Sequence, residues 1–500
     1  MDDAGANAFP LEPSAEDMRR LVDQAMAYIT AHIDSLPDQP AANTEGGAEL
    51  ARSLREDLPE QGQPYHEILA FLFQIAIPTS FNCAGPGYLA YVPGGGIFHA
   101  AVADLISNAV NRYVGVWAAA PGLAQLEANV VRWFCDIVGY PPSAGGFLTT
   151  GGSLANFSAI FTARRERLPD NFLSGTIYTS EQTHHSVQKA ALLAGFPPHT
   201  IRSVPTDAHY RIRLTALQQQ IEIDRHAGQR PFLIVGNAGT TNTGAVDDLH
   251  ALADIAQRKN LWLHIDAAYG GFFMLTERGK SRLAGLQRAD SITLDPHKGL
   301  FLPFGTGSLI VRDRDALRRA HSGDAAAYLP SMQDDPDFVD FCQISPELSR
   351  DFRGLRIWLP LKMHGIEPFR QALEEKLDLA EWVTAQLRTI ADIEIMAEPQ
   401  LSIVAFRLNR SGFDAPALNQ LNQRLLNAIN IRKRVLLTGT LLGHHTGEMF
   451  GAHTGEMVGD QIGETPGDQF VIRICALCFR THHDRVEMCV EDIRAACREV

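Results

Sequence analysis

The 500-residue sequence has few cysteines and no long apolar run. Its seven cysteines are odd in number and irregularly spaced, which argues against a disulfide framework and is typical of a reducing compartment. No stretch approaches about 18 uninterrupted apolar residues, so no membrane-spanning helix is predicted. The first residues, MDDAGANAFPLEPSAED, are acidic and lack the apolar segment of a signal peptide. These absences predict a soluble, cytoplasmic protein.

Basic residues are also fewer than acidic residues. The 44 Lys and Arg residues face 58 Asp and Glu residues, for a net charge of −14. Proteins that coat nucleic acids need a basic surface, and anionic membranes attract basic segments, so we expect neither partner. A hydrophobic content of 45% and a charged content of 20% supply a sizeable core and too little charge for disorder. The starting hypothesis is therefore an enzyme.

Three segments follow one another along the chain. Residues 1–90 begin with an amphipathic helical pattern too short to bury its own apolar face, so we expect this segment to pack on a partner subunit. Residues 91–375 form an α/β domain, in which near-continuous apolar strands alternate with amphipathic helices. This alternation predicts a parallel sheet covered on both faces. Residues 376–500 have the mixed pattern of a small α+β domain. The predicted strands are 146–150, 176–180, 231–238, 261–267, 291–295 and 307–313, and the predicted helices are 153–167, 184–194, 214–227 and 247–259.

A short repeat lies within residues 443–468. The letters HTGEM occur at 445–449 and again at 453–457. We interpret the stretch as a solvated, lengthened hairpin loop between the strands RVLLTG and FVIRICAL. The alternative is a metal site, but no ligand spacing matches a known site type. Its candidate ligands would be His444, His445, Glu448, His453 and Glu456.

Chemistry-bearing residues follow the predicted strands, where a doubly wound sheet places its ligands. The letters TTGGSLAN (149–156) predict a helix N-terminus able to bind phosphate. Asp266 in HIDAAYGG ends a strand, and a buried carboxylate there needs a cationic partner. Lys298 in DPHK precedes the apolar run GLFLPF, so desolvation would free its amine for Schiff-base chemistry.

Two further motifs complete the set. His184 and His185 lie at a strand-to-helix junction, in SEQTHHSVQKA, and the turn GTTNTG (239–244) follows another strand. Each motif alone is equally compatible with helix capping or a structural ion pair. In combination they match the needs of pyridoxal 5'-phosphate, which requires a phosphate anchor, a carboxylate on its pyridine nitrogen, a ring-stacking side chain and a lysine.

At this point the sequence resembles the fold-type I, group II pyridoxal-phosphate decarboxylases. That family includes the aromatic L-amino acid, tryptophan, tyrosine, histidine and glutamate decarboxylases. The resemblance covers roughly residues 60–490 and is carried by HIDAAYGG and PHK together with SEQTHHSV and GTTNTG. It implies a mainly parallel seven-stranded sheet flanked by helices, a small α+β C-terminal domain, and a homodimer with active sites at the subunit interface.

The resemblance also implies roles for individual residues. Lys298 would carry the cofactor as a Schiff base, Asp266 would face its pyridine nitrogen, and His184 would stack on its ring. Lys298, His184 and Asp266 are thus the predicted catalytic residues. The other predicted cofactor-binding residues are Gly152 and Ser153 at the phosphate, Thr241 and Ala268 along the ring, and His297 beside the lysine.

Three residues are predicted to contact the substrate. Arg473 in VIRICAL matches an arginine that enters the site from the small domain, and it is a candidate for binding the substrate carboxylate. The alternative is a strand arginine paired on the domain surface. Tyr91 and Pro93, in the pocket-forming segment YVPGGG, are the other predicted substrate contacts.

The sequence departs from the family in one loop. The family usually has a proton-donating tyrosine in a mobile loop before the helix SRDFRGLRIWLPLKMHG (349–365). Here Tyr328 stands only at the beginning of the segment, while Phe338 or Phe341 lies nearer the expected place. Relatives with phenylalanine there tend to form aldehydes.

The favoured function is decarboxylation of an L-amino acid, aromatic by resemblance. The alternatives are an aldehyde synthase, an aminotransferase and a non-catalytic cofactor-binding protein. A nicotinamide-dependent enzyme is disfavoured because no G-x-G-x-x-G follows an opening strand.

Overall fold

A computed structural model describes residues 11–322, 335, 337–443 and 468–500. The α-helices in these ranges are α1 (Ala15–Ser35), α2 (Gly47–Ser53), α3 (Tyr65–Phe71), α4 (Phe98–Val110), α5 (Pro121–Val138), α6 (Gly152–Arg167), α7 (His185–Leu193), α8 (Leu214–His226), α9 (Leu249–Lys259), α10 (Glu277–Arg282), α11 (Pro296–Gly299), α12 (Arg314–His321), α13 (Phe341–Ile344), α14 (Gly354–His364), α15 (Glu367–Leu387), α16 (Ala415–Asn430) and α17 (His483–Glu499). Within the described ranges, none of the helices combines the length and apolar character that a bilayer crossing requires.

The strands form two sheets. Their bounds are β1 (Gly145–Thr149), β2 (Gly175–Ser180), β3 (Ile201–Val204), β4 (Arg230–Asn237), β5 (Trp262–Asp266), β6 (Ser291–Leu294), β7 (Gly307–Val311), β8 (Ile393–Ala397), β9 (Ile403–Leu408), β10 (Thr438–Leu442) and β11 (Gln469–Cys475). The large sheet has seven strands in the order β1-β7-β6-β5-β4-β2-β3, and the small one has the order β10-β11-β9-β8.

The large sheet is mainly parallel, which confirms the predicted fold class. Strand β7 runs antiparallel to both of its neighbours, β1 and β6, while the other pairs are parallel. Strands β1, β2, β4, β5 and β6 therefore point the same way and end at one edge. Every residue of β2, β5, β6 and β7 is buried, as expected when helices cover both faces.

Helices pack on each face of this sheet. On one side α5, α8 and α9 contribute Val130, Leu217 and Leu252 to the main core. On the other side α6 and α7 contribute Ile160 and Val187 to a separate cluster. The four helices predicted between the strands correspond to α6, α7, α8 and α9. The sequence pattern missed β3, because it is a four-residue edge strand that contains the polar pair Arg202 and Ser203.

The small sheet is antiparallel throughout and packs against α15, α16 and α17. Helix α15 joins the two cores, because Leu373 and Leu377 belong to the large one while Leu379 and Val383 belong to the small one. The division of the chain near residue 375 stays a prediction. Strands β10 and β11 form the predicted hairpin, with Leu442 opposite Gln469. The HTGEM repeat between them lies outside the described residues.

A buried ion pair anchors the chain before α14. The guanidinium of Arg350 lies 2.6 Å from the carboxylate of Glu127 on α5, and both side chains are fully buried. The same arginine donates to the carbonyl oxygen of Leu148 in β1 at 3.2 Å, and Glu127 accepts from the backbone N–H of Gly354 at 3.1 Å. This segment is thereby fixed to the sheet edge where the strands end.

We predict that Arg350→Met lowers the stability of the fold by about 3–5 kcal/mol, because it leaves the Glu127 carboxylate buried without a cation. The midpoint of urea unfolding measures the effect. The matched control is Arg319→Met. Arg319 is half exposed and pairs with Glu166 and Asp313, so its loss should cost about 1 kcal/mol or less. Equal shifts for the two variants would contradict the assignment of Arg350 as an anchor.

Candidate active site

A cavity of about 290 Å³ lies at the edge where the parallel strands end. It is lined by the turns that follow β1, β2, β4, β5 and β6. All eight predicted cofactor-binding residues line it, namely Gly152, Ser153, His184, Thr241, Asp266, Ala268, His297 and Lys298. The structure therefore brings together residues that are separated by almost 150 positions in the sequence.

Asp266 is held by two neutral donors. It is the last residue of β5 and is buried. Its Oδ1 accepts from the backbone N–H of Ala268 at 3.1 Å, and its Oδ2 accepts from Nδ2 of Asn156 at 3.0 Å. Neither donor is charged, so the carboxylate remains available to a cation in the cavity.

Asn156 connects Asp266 to His184. Its Nδ2 donates both to Asp266 and, at 3.1 Å, to Oγ of Ser186. Its Oδ1 accepts from Oγ1 of Thr293 at 2.7 Å and pairs with Nε2 of His264 at 3.0 Å. The amide thus uses its full hydrogen-bonding capacity in a buried position. Sequence reasoning assigned it no role, although its place one turn into α6, on the face toward the sheet, was a usable signal.

His264 lies behind this amide on the same face of β5 as Asp266, two residues away. Burial lowers its pKa to about 4, an effect that Asp266 partly opposes. The ring is therefore neutral, with its Nε2 proton donated to Asn156 and its Nδ1 paired with Oγ of Ser291 at 2.8 Å. The Ser291 hydroxyl donates to that Nδ1, and its oxygen accepts from Nε1 of Trp262 at 2.8 Å. The polar groups behind Asp266 are satisfied as one network.

His184 presents a neutral ring to the cavity. It is the N-cap of α7, and its Nδ1 accepts from the backbone N–H of Ser186 at 3.3 Å and lies 2.7 Å from that residue's Oγ. Burial lowers its pKa, while Asp266 opposes the change. Because Nδ1 acts as acceptor, the proton of the neutral ring is on Nε2.

Lys298 faces a second carboxylate. Its Nζ lies 3.1 Å from Oδ2 of Asp295, whose side chain is 2% exposed. His297 pairs through Nδ1 with the carbonyl oxygen of Thr306 at 2.5 Å, and its Nε2 lies 3.8 Å from the same Asp295 oxygen. The structure thus adds Asp295 to the residues that the sequence indicated.

The first turn of α6 forms one wall of the cavity. No side chain of the described residues caps this helix, so its first amide groups are available to an anion. A Cβ on Gly152 would lie 3.0 Å from Oδ2 of Asp295 and 3.4 Å from Cβ of Ala268. A side chain at this position would crowd both groups.

The three predicted substrate residues are not among those that line the cavity. Arg473 is buried in β11 and donates to the carbonyl oxygen of Asn242 at 3.0 Å and to Oγ1 of Thr438 at 3.2 Å. A third contact, to the carbonyl oxygen of Tyr91, measures 3.4 Å. Burial lowers its pKa. Arg473 therefore ties the small sheet to two loops, one of which contains Tyr91 and the buried Pro93. Contact of these residues with substrate stays a prediction.

Phe338 and Phe341, in the loop where the sequence differs from the family pattern, have different surroundings. Phe341 begins α13 and is buried, with the guanidinium of Arg350 4.8 Å from its ring centre. Phe338 is half-buried and stacks on Trp117 with ring centres 4.0 Å apart. Tyr328 lies outside the described residues. Of the two, Phe341 is thus a core residue, and Phe338 is the one at the boundary of the loop.

These features fit pyridoxal 5'-phosphate. Among the described residues the carboxylate of Asp266 has no charged donor. The neutral ring of His184 and the amine of Lys298 line the same cavity, and the start of α6, which no described side chain caps, offers amide groups. One oxygen of Asp295 is buried without a hydrogen-bond partner among the described residues, so the polar groups of the cavity are incomplete without a ligand. Fold and site together define a pyridoxal-phosphate enzyme.

Comparisons with known proteins agree. The model of the pyridoxal-dependent decarboxylase conserved domain matches residues 48–409. The aromatic-L-amino-acid decarboxylase of Bacillus atrophaeus is 37% identical over 86% of this chain and 90% of that protein. Tryptophan decarboxylase TDC1 of Camptotheca acuminata is 29% identical over 87% of this chain and 89% of that protein. The chain belongs to the pyridoxal-dependent decarboxylase family and is an amino-acid decarboxylase that uses pyridoxal 5'-phosphate.

Solved structures show the same fold. The Catharanthus roseus tryptophan decarboxylase, determined in complex with L-tryptophan, matches with a TM-score of 0.86 at 24% identity, over 98% of this chain and 100% of that one. The Oryza sativa TDC with PLP and tryptamine matches with a TM-score of 0.87 at 24% identity, over 98% of this chain and 99% of that one. At these identities the likeness supports the fold.

We predict that Asp266→Asn lowers the turnover number at least 100-fold, about 3 kcal/mol, because a preorganised charge is lost. Asn156→Leu should lower it roughly tenfold or more and also change the visible spectrum of the bound cofactor, since Asp266 and His184 both lose a link. Steady-state kinetics and absorbance measure the two effects.

The matched control is Asn419→Leu in the small domain. Asn419 is also buried and bonds to backbone groups of Asp468 and Phe470. Its replacement should lower stability while leaving the turnover number and spectrum of the folded protein unchanged. If Asn156→Leu behaved in the same way, the network behind Asp266 would have no part in positioning.

Proposed function

We propose that the protein removes the α-carboxyl group of an aromatic L-amino acid and releases the amine and carbon dioxide. The observation that carries this proposal is the convergence of Lys298, Asp266 and His184 in one cavity. The aromatic preference is supported by the relatives named above, which are aromatic-L-amino-acid and tryptophan decarboxylases. Overall, one carbon–carbon bond breaks, and a proton replaces the carboxylate on the α carbon.

Each residue has a part in this reaction. When bound, pyridoxal phosphate supplies an aldehyde that bonds to amines and a ring that withdraws electrons. Lys298 provides the amine that holds it in the resting enzyme. Asp266 places a fixed negative charge deep in the cavity, where it favours a proton on a ring nitrogen. The neutral ring of His184 provides a flat surface without adding charge beside that site.

The first amides of α6, at Gly152 and Ser153, are the proposed phosphate-binding groups. Thr241, Ala268 and His297 complete the walls of the cavity. Tyr91, Pro93 and Arg473 are proposed to meet the substrate beyond the cofactor. Arg473 already holds the carbonyl oxygen of Tyr91, so both would shift together when substrate enters.

An aldehyde-forming reaction is the second candidate. Phe338, at the boundary of the loop, has no hydroxyl group to donate a proton and is stacked on Trp117. Because Phe338 could not supply a proton, oxygen would compete with protonation of the α carbon. Product analysis separates the two candidates, because the aldehyde route releases ammonia and peroxide in place of an amine.

The test is carbon dioxide release from a panel of L-amino acids. We expect tryptophan, tyrosine, phenylalanine or dihydroxyphenylalanine to react faster than glutamate or aspartate. Lys298→Ala should abolish both turnover and the borohydride-reducible adduct with the cofactor, while Lys189→Ala on α7, outside the cavity, should change neither. A reducible adduct that survives in Lys298→Ala, or a preference for acidic substrates, would contradict the proposal.

We further propose a homodimer built on the first helices. Helix α1 has no buried residue in the described chain, and it exposes Met18, Leu21 and Val22. Helix α4 exposes Leu105, Ile106 and Val110, each between 44% and 50%. Apolar side chains grouped in this way favour a covering partner. The predicted packing of residues 1–90 on a partner subunit is part of this proposal.

We predict that Ile106→Asp converts the dimer to monomer, because a charge would be buried in the interface. Sedimentation velocity measures the change. The matched control is Ile431→Asp, which replaces an apolar residue that is 78% exposed in the small domain and should leave the dimer intact. A monomeric wild-type protein, or dissociation by both variants, would contradict the proposed interface.

A cytoplasmic location also remains a proposal. All seven cysteines are free thiols, and five of them are buried, which suits a reducing compartment. The acidic net charge supports a small-molecule substrate in place of a nucleic acid or membrane partner.

A further inference from the structure

Asp295 has surroundings that the reaction described above does not explain. It occupies the N-cap position of α11, yet its side chain does not cap that helix. The side chain is 2% exposed, and its Oδ1 is buried without a hydrogen-bond partner among the described residues. A buried carboxylate with an unsatisfied oxygen is costly and usually faces a ligand or a cation.

The other oxygen of this carboxylate faces the reactive amine. Oδ2 lies 3.1 Å from Nζ of Lys298 and 3.8 Å from Nε2 of His297. The carboxylate also faces the first turn of α6, because a Cβ on Gly152 would lie 3.0 Å from Oδ2 and 3.4 Å from Oδ1. Asp295 therefore lies between the amine and the helix start to which we assign the phosphate.

This position brings two like charges together. The phosphate of the cofactor is anionic, and so is Asp295. In a partly dehydrated cavity their repulsion is stronger than in water. The ammonium group of Lys298 is the cation that lies against Asp295 in the structure, and it loses that form when the amine bonds to the cofactor.

We propose that Asp295 holds Lys298 as an ion-paired ammonium whenever that amine is not bonded to the cofactor, and that it thereby weakens phosphate binding in the cavity. The inference rests on the proposed function. In amine exchange, the substrate enters as an ammonium ion and forms the new carbon–nitrogen double bond. The bond between the cofactor carbon and the Lys298 nitrogen breaks, and the three protons that the substrate nitrogen gives up end on Lys298, which leaves as an ammonium group. Asp295 then receives the resulting ammonium group, which favours the forward exchange.

The test measures binding to the protein freed of cofactor. The probes are pyridoxamine 5'-phosphate, which carries the ring and phosphate but has no aldehyde to react with lysine, and inorganic phosphate. Isothermal titration gives their affinities in wild type, Asp295→Asn, Lys298→Met and the double variant. Asp290→Asn is the matched control, because Asp290 is a largely buried carboxylate that accepts from the backbone N–H of Leu263, away from the cavity.

We expect Asp295→Asn to bind both probes about tenfold more tightly, because Lys298 is then free to attract the phosphate. Lys298→Met should bind them about tenfold more weakly. The gain from Asp295→Asn should be smaller in the Lys298→Met background, because no ammonium group is left there to be freed. Asp290→Asn should match wild type. Asp295→Ser, which also removes the charge, should repeat the gain if Asp295→Asn does not fold.

Two outcomes would overturn the inference. Unchanged affinity in both backgrounds would show that the carboxylate does not act on the phosphate site. Weaker binding in Asp295→Asn would show that Asp295 holds the phosphate. Neither outcome depends on turnover. A failure of the proposed decarboxylation would appear as absent carbon dioxide release, and it can therefore be told apart from a failure of this inference.

Discussion

The hydrogen bond from Asn156 to Asp266 is the interaction on which the site depends. It fixes the carboxylate at the end of β5, and through Ser186 the same amide fixes the orientation of His184. Its oxygen is bound by Thr293 and His264, which belong to two neighbouring strands. One side chain on α6 thus sets the relative positions of residues from β5, β6 and the start of α7.

The cavity contains two carboxylates with different partners. Asp266 accepts hydrogen bonds from two neutral N–H donors, whereas one oxygen of Asp295 faces the lysine of the protein itself and its other oxygen has no hydrogen-bond partner among the described residues. Lowered pKa values keep the imidazoles of His184, at the cavity, and His264, behind Asn156, neutral. The amine of Lys298 loses its positive charge when it bonds to a ligand, so its bonding state changes the electrostatics of the cavity.

The sequence predicted the central strands, and the eight residues that the resemblance assigned to the cofactor line one cavity, because each motif follows a strand and parallel strands end at one edge. It did not predict the role of Asn156 or His264, since their importance comes from contacts with residues more than 25 positions away. Asp295 was visible in the letters DPHK, but its approach to Gly152 depends on two loops meeting. Phe341 resembled a loop residue, because its burial arises from Arg350 and the sheet behind it.

Helix α15 restricts how the two sheets can move relative to each other. Its 21 residues contribute to both cores, and after Pro368 in its first turn it contains neither proline nor glycine. Helices of this kind seldom kink. Helix α15 therefore couples the two sheets, and a rotation of one sheet would also move the other. We therefore expect access to the cavity to come from movement of loops, without a hinge within α15.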